Sequence, residues 1–359
     1  MLTGILRIGL IGVGGVGRYA HLPAYRRDGL EVVAVCDSNL RLAEEVAAEF
    51  GVPVLAETVE GLAACDEVDV LDVATPPSTH IELLSAVIPS GKPVLLQKPA
   101  CTTAAELTEL RDLVADGHVR LNMTGRHVPA WRKVAALLAE GAIGRPYFCT
   151  IVNRDWWDRE DGRWDHEIEH YIVHEMLIHH LDLCHAWFGP PARVAARAGS
   201  HPQQRLQQDN WITATIDYED GPTVQLVEDW TMPEFAFAHG HPFEEVMIAG
   251  EAGVIRGQSE RVELSRLGEN TIRVWHRPRP GQHLPGEQLA GSWFPDSFAG
   301  AMRNFMDAVE RGDAASGDRE HMLALTADAL AVASATESDR WVVLSGAQRE
   351  PPPSATDVV

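Results

Sequence analysis

The chain has 359 residues, which at roughly 150 residues per domain suggests two or three domains. Apolar residues make up 45% and charged residues 23%, a composition typical of a globular protein that buries its own core. The chain contains 30 lysines and arginines but 52 aspartates and glutamates. The resulting net charge of −22 repels phosphate backbones, which argues against nucleic-acid binding.

The sequence also argues against a membrane or secreted protein. No stretch approaches the ~18 to 20 consecutive apolar residues of a membrane span. The N-terminal segment has no basic region followed by a small-residue cleavage site, so no signal peptide is predicted. The 5 cysteines are scattered and form no Cys-x-x-Cys pair. We therefore predict reduced thiols in a cytoplasmic protein rather than a disulfide framework or a zinc site.

Strand-like and helical patterns alternate over the N-terminal third of the chain. Predicted strands cover residues 5–11, 31–36, 68–73, 93–96 and 119–123. Between them, residues 40–50 and 104–115 place apolar side chains at helical spacing. This alternation is typical of βαβ units on a parallel sheet.

The pattern changes from about Arg145 onward. A helical stretch at 169–187 precedes predicted strands at 192–198, 211–218, 223–230, 244–248 and 262–267. Turn sequences and not helices separate these strands, so the second sheet is expected to be largely antiparallel. Two late helices at 297–311 and 319–337 follow, and residues 346–359 are predicted to form a disordered tail.

A glycine-rich loop follows the first predicted strand. It has the pattern G-x-G-x-x-G and consists of Gly12, Val13, Gly14, Gly15, Val16 and Gly17. A strand before such a loop and a helix after it are typical of a dinucleotide site, where pyrophosphate lies on amides at the helix N-terminus. The alternative, a glycine-rich turn without a ligand, accounts less well for the combined strand, loop and helix.

The end of the next predicted strand supports the same interpretation. Asp37 lies 20 positions beyond Gly17, where a carboxylate accepts hydrogen bonds from the adenosine ribose hydroxyls. A carboxylate there repels a 2′-phosphate, so NAD is predicted in preference to NADP. Arg41 would soften this preference by pairing with a phosphate.

Two further strand ends are expected to line the cofactor cleft, because ligands of doubly wound sheets bind outside the carboxyl ends of the strands. The first contributes Ala74, Thr75, Pro76 and His80, and the second contributes Gln97, Lys98 and Pro99. A cis bond before Pro99 would direct the Lys98 side chain into the cleft. A lysine before a proline is commonly a surface residue, but this one lies where the nicotinamide is expected.

At this point the chain resembles the Gfo/Idh/MocA family, which contains glucose–fructose oxidoreductase and inositol dehydrogenases. The resemblance spans Arg7 to Leu344 and rests on the glycine-rich loop, Asp37, the turn at 74–80, Lys98-Pro99 and the later His179-His180-Leu181-Asp182-Leu183. It implies an α/β fold with an NAD-binding Rossmann domain at 1–124, a doubly wound parallel sheet. A substrate-binding α/β domain at 125–345 would carry a large, mostly antiparallel open sheet. In the family that sheet commonly mediates oligomerisation, so a homodimer or homotetramer is expected.

Histidines are concentrated in one segment of the second half. Six of the 16 fall within it: His166, His170, His174, His179, His180 and His185. His170 and His174 are four residues apart and would share a helix face, which leaves a metal site as an alternative. However, the spacing from His174-Glu175 to His179 is one residue longer than the H-E-x-x-H pattern of zinc proteases. We therefore predict no metal.

The resemblance assigns catalytic roles to Lys98, Glu175 and His179, which in the family converge on the substrate. An imidazole titrates near neutrality and can take the hydroxyl proton of an alcohol, or return it in the reverse reaction. The Lys98 ammonium would stabilise the developing alkoxide charge. Glu175 would orient His179 or bind a neighbouring hydroxyl.

Three positions depart from the family pattern. Gln97 replaces the glutamate that usually precedes the lysine, Leu177 stands where glycine is frequent, and Glu175 replaces the more frequent aspartate. None of these changes removes a catalytic group. The loss of a carboxylate at position 97 leaves open whether Lys98 takes over as the base.

The remaining substrate-binding candidates lie near the expected domain junction. They are Arg126, Asn153, Trp156, Trp157 and His180, in addition to Glu175 and His179. Tryptophans beside carboxylates suit a polyhydroxylated ring, because its C–H faces stack on aromatic rings while the acids bind hydroxyls. Packing of the tryptophans into a core is an equally good interpretation of each one singly.

We therefore predict an NAD(H)-dependent oxidoreductase. Its substrate would be a secondary alcohol or ketone of a sugar, a sugar derivative or a cyclitol. Three alternatives stay open: a glycoside-cleaving enzyme that oxidises its substrate transiently, a metal-dependent enzyme that uses the histidine segment, and a non-catalytic NAD-binding regulator.

Overall fold

A computed structural model describes residues 6–158, 163–232, 243–277, 286–313 and 315–344. The N-terminal part forms a six-stranded parallel sheet. Its strands are β1 (Ile8–Ile11), β2 (Val32–Cys36), β3 (Val54–Leu55), β4 (Val70–Val73), β5 (Val94–Gln97) and β6 (Val119–Asn122), in the order β3-β2-β1-β4-β5-β6. Every residue of β1, β4 and β5 is buried. Helices on both faces of the sheet account for this burial and for the continuous apolar runs in the sequence.

Five helices alternate with these strands. They are α1 (Leu22–Asp28), α2 (Leu40–Phe50), α3 (Val59–Ala63), α4 (His80–Val87) and α5 (Ala104–Leu113). Side-chain caps fix several of their starts: Asn39 accepts a hydrogen bond from the Leu42 amide, and Thr103 forms a capping box with Glu106.

The second half is built on a ten-stranded sheet. Its elements are α6 (Pro129–Ala139), β7 (Pro146–Arg154), α7 (Ile178–Phe188), β8 (Arg193–Gly199), β9 (Trp211–Asp217), β10 (Thr223–Asp229), β11 (Phe243–Gly250), β12 (Gly253–Gln258), β13 (Arg261–Arg266), β14 (Ile272–His276), β15 (Glu287–Gln288), α8 (Asp296–Arg311), α9 (Ala315–Thr336) and β16 (Val342–Val343). The strand order is β15-β14-β13-β12-β11-β7-β10-β9-β8-β16. All pairs are antiparallel except β7–β10 and β14–β15. The predicted α/β class with two such sheets is confirmed.

One face of the large sheet is buried and the other is open. Burial alternates along β7, β9 and β10, so every second side chain points into the core. Helix α9 contacts both β6 and β8 and so connects the two sheets. The predicted boundary between residues 124 and 125 stays a prediction. Among the residues that the structure describes, no helix is both long and apolar enough to cross a membrane.

The long helix predicted over 169–187 is wrong at its start. His170 has a φ of 51°, in the left-handed region, and a π-helical turn, Val173–Leu177, leads into α7. His170 and His174 therefore do not share a helix face, because the backbone at His170 is not helical. Strands β12 and β14 and the two-residue strands β3, β15 and β16 were not predicted. The predicted tail at 346–359 lies outside the described residues.

Candidate active site

The glycine-rich loop leaves room for a ligand at its two middle glycines. Gly12 has a φ of 89°, and a Cβ there would lie 2.6 Å from Thr75 Cγ2. A Cβ on Gly17 would overlap the Gly12 carbonyl oxygen. At Gly14 and Gly15 nothing lies within 4 Å of where a Cβ would be. The loop is thus packed at its ends and open in the middle, as a backbone that approaches a pyrophosphate requires.

Asp37 is tied to this loop. Its Oδ2 atom accepts a hydrogen bond from the Val13 amide at 2.9 Å, and its Oδ1 atom accepts one from the Asn39 amide at 2.8 Å. These two bonds fix the carboxylate at the carboxyl end of β2, beside the loop. The Arg41 side chain is 88% exposed and pairs with Glu45 on its own helix, and its predicted contact with the cofactor stays a prediction.

The His80 side chain binds the backbone of the loop that lines the cleft and does not face a cofactor. Its ring is buried, with Nε2 3.0 Å from the Thr75 carbonyl oxygen and Nδ1 3.2 Å from that of Ala100. Burial lowers the pKa of His80 despite these carbonyls. Both ring nitrogens are occupied, which corrects the prediction of a cofactor contact. Ala74, Thr75 and Pro76 stay predicted contacts, and His80 positions their loop.

Lys98 joins the two halves of the site. The Lys98–Pro99 peptide bond is cis, and the Lys98 side chain is 9% exposed. Its Nζ atom donates to Glu175 Oε2 at 2.7 Å and to the Glu175 backbone carbonyl at 2.8 Å. The Gln97 side chain accepts a hydrogen bond from the Lys98 amide at 3.2 Å. A carboxylate from the second half of the chain therefore supports the ammonium, although position 97 provides none.

His179 lies beside this ion pair. It is half-buried at the start of α7, one turn after Glu175. Burial and the Lys98 and His180 cations hold the pKa of His179 well below its usual range. Within the described ranges, no side chain hydrogen-bonds the His179 imidazole, and Glu175 contacts Lys98 and not His179. A neutral imidazole beside an ammonium is the pair that proton removal from an alcohol requires.

The π-helical turn contributes to this geometry. Glu175 is the middle residue of this turn, Val173–Leu177. Both its side chain and its backbone carbonyl accept hydrogen bonds from Lys98. A π turn is wider than an α turn, and such turns are frequent at functional sites. His170 precedes it, with Nδ1 2.8 Å from Asp209 Oδ2, and this pairing raises the pKa of His170.

Two buried polar residues near the site were not among the predicted catalytic, cofactor-binding or substrate-binding residues. His174 is 2% exposed, and its Nδ1 atom has no hydrogen-bond partner among the described residues. Burial, His170 and Lys98 lower its pKa to about 4. Asn122 ends β6 next to Gln97 on β5, and both polar atoms of its amide lack a partner in the described ranges. Unpaired buried polar atoms are costly, so they mark places where a ligand or water binds. The strand-end position of Asn122 would have identified it.

Two predicted substrate contacts are fully buried. His180 is fully buried between glutamates, with Nδ1 2.6 Å from Glu228 Oε1 and Nε2 2.6 Å from Glu244 Oε1. Asn153 is also fully buried, and its Oδ1 atom accepts a hydrogen bond from the Trp230 indole at 2.7 Å. Both ring nitrogens of His180 are occupied, so its predicted substrate contact is wrong, whereas the contact predicted for Asn153 stays a prediction.

Arg126 and Trp157 are likewise held by protein partners. Arg126 donates to both carboxylate oxygens of Asp182 at 2.7 Å, and it lines a pocket of about 250 Å³ between α7 and α9. Burial opposes the Asp182 charge, but Arg126 and His321 lower the pKa of Asp182 to about 2. The Trp157 indole donates to the Tyr171 hydroxyl at 2.7 Å. Both side chains therefore have protein partners, and their substrate-binding roles stay predictions.

Trp156 stays a candidate substrate contact. Its half-buried ring meets that of His201 edge-on, with centroids 5.6 Å apart. Across the ranges that the structure describes, no group of three or more His, Cys, Asp or Glu side chains is arranged to hold a metal ion. Three histidines of the 166–185 segment, His170, His180 and His185, pair instead with carboxylates on other elements.

Two protein-family profiles match the chain. Residues 6–124 match an oxidoreductase family with an NAD-binding Rossmann fold, and residues 131–256 match the GFO/IDH/MocA C-terminal domain. Together they cover more than half of the chain.

The chain has low sequence identity to individual relatives. The chain is 28% identical to a D-apiose dehydrogenase of Paraburkholderia graminis over 289 residues, which is 79% of this chain and 76% of that protein. It is 23% identical to an inositol 2-dehydrogenase of Rhizobium meliloti, over 92% of this chain and 97% of that one. A levoglucosan dehydrogenase solved with NADH superposes with a TM-score of 0.82 at 19% identity, over 94% and 99% of the two chains. That last likeness shows the fold.

Proposed function

Because the chain belongs to the Gfo/Idh/MocA family of oxidoreductases, we propose that it transfers a hydride between NAD(H) and a secondary alcohol or ketone of a sugar, sugar derivative or cyclitol. The observation that carries the proposal is the contact of Lys98 with Glu175 beside a neutral His179. The D-apiose, inositol and levoglucosan dehydrogenases among its relatives support this substrate class.

The fit of the first sheet supports NAD as the cofactor. The open middle of the glycine-rich loop suits a pyrophosphate, and Asp37 suits the ribose hydroxyls. Since the Asp37 carboxylate is fixed beside the loop, a 2′-phosphate would meet a negative charge there. Bound NAD⁺ would accept the hydride, and the protein would supply position and charge.

Each catalytic side chain has one role in the proposed reaction. Lys98 donates a hydrogen bond to the substrate oxygen and stabilises the negative charge that develops on it. His179 accepts the hydroxyl proton during oxidation and returns it during reduction. Glu175 holds the Lys98 ammonium in place from the opposite half of the chain, and Trp156 offers an aromatic edge to the sugar ring.

The open face of the large sheet supports a homo-oligomer. Val152 on β7 and Val227 on β10 are register partners with half-buried side chains on that face, and Met247 on β11 lies close by. We expect a dimer or tetramer that covers these residues, with Val227→Asp giving monomers in sedimentation equilibrium. The cytoplasmic location predicted from the cysteines stays a prediction.

The direct test is a substrate screen. Purified protein would be mixed with NAD⁺ or NADP⁺ and a panel of myo-inositol, D-apiose, levoglucosan and D-xylose, and NADH or NADPH formation followed by absorbance. We expect oxidation of at least one compound with NAD⁺ preferred. Release of a free alcohol from a glycoside without net NADH would favour the glycoside-cleaving alternative. NADH binding without turnover of any compound would favour a regulator.

A further inference from the structure

Three side chains form a polar row across the middle of the large sheet. Asn153 on β7 is the register partner of Glu228 on β10 and of Glu244 on β11. Asn153 and Glu228 are fully buried, and the Glu244 side chain is 10% exposed. Two carboxylates in a core are costly unless they are paired. We call these residues the Glu–Asn–Glu row.

His180 pairs with both ends of this row. Its two ring nitrogens lie 2.6 Å from Glu228 Oε1 and 2.6 Å from Glu244 Oε1. An imidazole ring can donate from both nitrogens only as the cation. Although burial opposes that charge, the two glutamates raise the pKa of His180 to about 10. The ring is therefore held by two charge-assisted hydrogen bonds that run to two different strands.

We propose that His180, fixed between Glu228 and Glu244, is a positioning residue that sets the place and the charge environment of the His179 imidazole. The inference rests on the proposed role of His179 as the base. His180 directly follows His179 in the first turn of α7, so bonds that fix one ring fix the backbone that carries the other. A catalytic group must be held within a fraction of an ångström, which such a shell of bonds provides.

The charged groups around His179 show why His180 matters for its proton. Lys98 acts on it from the residue that directly follows β5, and His180 and Asp182 belong to its own helix. Lys98 is paired with Glu175, and Asp182 is paired with Arg126 and His321. Removing the His180 cation leaves the carboxylates of the row without their partner, which favours a proton on His179.

The test compares His180→Gln with the wild-type chain, on whichever panel compound the wild type oxidises fastest. We expect kcat to fall about 10- to 100-fold, because small misplacements of a catalytic group have effects of that size, with the KM for NAD⁺ unchanged. We also expect the acid limb of the pH profile of kcat/KM to rise by about one pH unit. If His180 had only a structural role, its substitution would not change the pH at which kcat/KM falls on the acid side.

Glu244→Gln provides a second variant that keeps one of the two bonds to His180. It removes a negative charge, so kcat should fall by less and the acid limb should not rise. In the double variant His180→Gln/Glu244→Gln the limb should return toward its wild-type position while kcat stays low. If His180→Gln does not fold, Glu244→Gln decides, and an unchanged kcat would overturn the proposal.

His185→Gln is the matched control. His185 lies in the same helix, and its Nε2 atom is 3.0 Å from Asp328 Oδ2 with a side chain 7% exposed, so this change also removes a buried histidine–carboxylate contact. We expect normal kcat and an unmoved acid limb. An equal loss in His185→Gln and His180→Gln would overturn the specific role of His180. Failure of the wild type on the whole panel would instead count against the proposed function.

Discussion

The Nζ atom of Lys98 contacts Glu175 twice, at 2.7 Å through the carboxylate and at 2.8 Å through the backbone carbonyl. Lys98 directly follows β5 of the parallel sheet, and Glu175 lies in the π-helical turn that leads into α7. The contact therefore fixes the position of the second half of the site relative to the cofactor loop. It also compensates for Gln97, which leaves the lysine without a carboxylate beside it in the chain.

The contact predicts a large effect of Glu175→Gln. Loss of a charge-assisted hydrogen bond costs about 1.5 to 3 kcal/mol, so we expect kcat/KM for the alcohol to fall about 10- to 150-fold. The Kd for NADH should change little, since the loop residues that would bind it are untouched. Steady-state kinetics and NADH fluorescence titration measure the two effects. Glu251→Gln, which removes an exposed ion pair with Arg145, serves as the control. Equal kinetics in both variants would refute the role of Glu175.

The sequence predicted the first sheet well because its signals are local. Strands β1, β4 and β5 are apolar runs, and the glycine-rich loop must follow β1 for its backbone to turn. The large sheet was predicted only in part. Strand β12 contains two glycines, Gly253 and Gly257, and strand β14 contains Arg273 and His276. Both are strands because neighbouring strands pair with them.

The sequence predicted which residues belong to the candidate site, but it did not predict their hydrogen-bond and ion-pair partners. Lys98 and Glu175 are in contact, and the convergence of both with His179 on a substrate stays a prediction. The ion pairs of His180 and Arg126 were not predictable, because their partners lie 48 and 56 residues away along the chain. Nothing local in a histidine or arginine distinguishes a buried ion pair from a substrate contact. The left-handed backbone of His170 is set by its packing and its pairing with Asp209, and the helical periodicity of the sequence does not reveal it.

Asp37→Ala should weaken NAD binding and narrow the preference over NADP. The substitution removes the acceptor for the Val13 amide as well as the carboxylate for the ribose. A lost hydrogen bond to a charged group predicts about a tenfold or larger increase in the Kd for NAD⁺. Calorimetry with NAD⁺ and NADP⁺ measures both affinities, with Asp116→Ala, an exposed aspartate far along the chain, as the control. Tighter binding of NADP⁺ than of NAD⁺ by the wild type would contradict the assignment.

Arg126→Met should lower stability and leave substrate binding intact. It removes the main partner of Asp182, which is fully buried, and the expected loss is on the order of 2 kcal/mol because Arg126 itself is partly exposed. The pKa of Asp182 is lowered to about 2, so the stability this carboxylate provides is present above its usual pKa of 3.8 and disappears as the pH falls through about 2. Urea unfolding measures the free energy of unfolding of the wild type and of Arg126→Met at acid pH. The difference between the two free energies should shrink as the pH falls from 3.8 to about 2. A raised KM for the sugar at full stability would restore Arg126 as a substrate contact.

His179→Asn tests the proton transfer. A positioned general base contributes about 10²- to 10⁴-fold, so kcat should fall by that factor while the Kd for NADH stays near its wild-type value. The pH dependence identifies the base. Because burial and the Lys98 and His180 cations hold the pKa of His179 below its usual range, the imidazole is already neutral at pH 7, and wild-type kcat/KM for oxidation should fall only on the acid side of pH 6.5. In His179→Asn that acid limb should disappear. If Lys98 were the base instead, activity would keep rising through the alkaline range in both chains, and His179→Asn would retain nearly full kcat. The two mechanisms therefore differ in the limb that is lost, and a pH series of initial rates on the wild type, His179→Asn and Lys98→Ala distinguishes them.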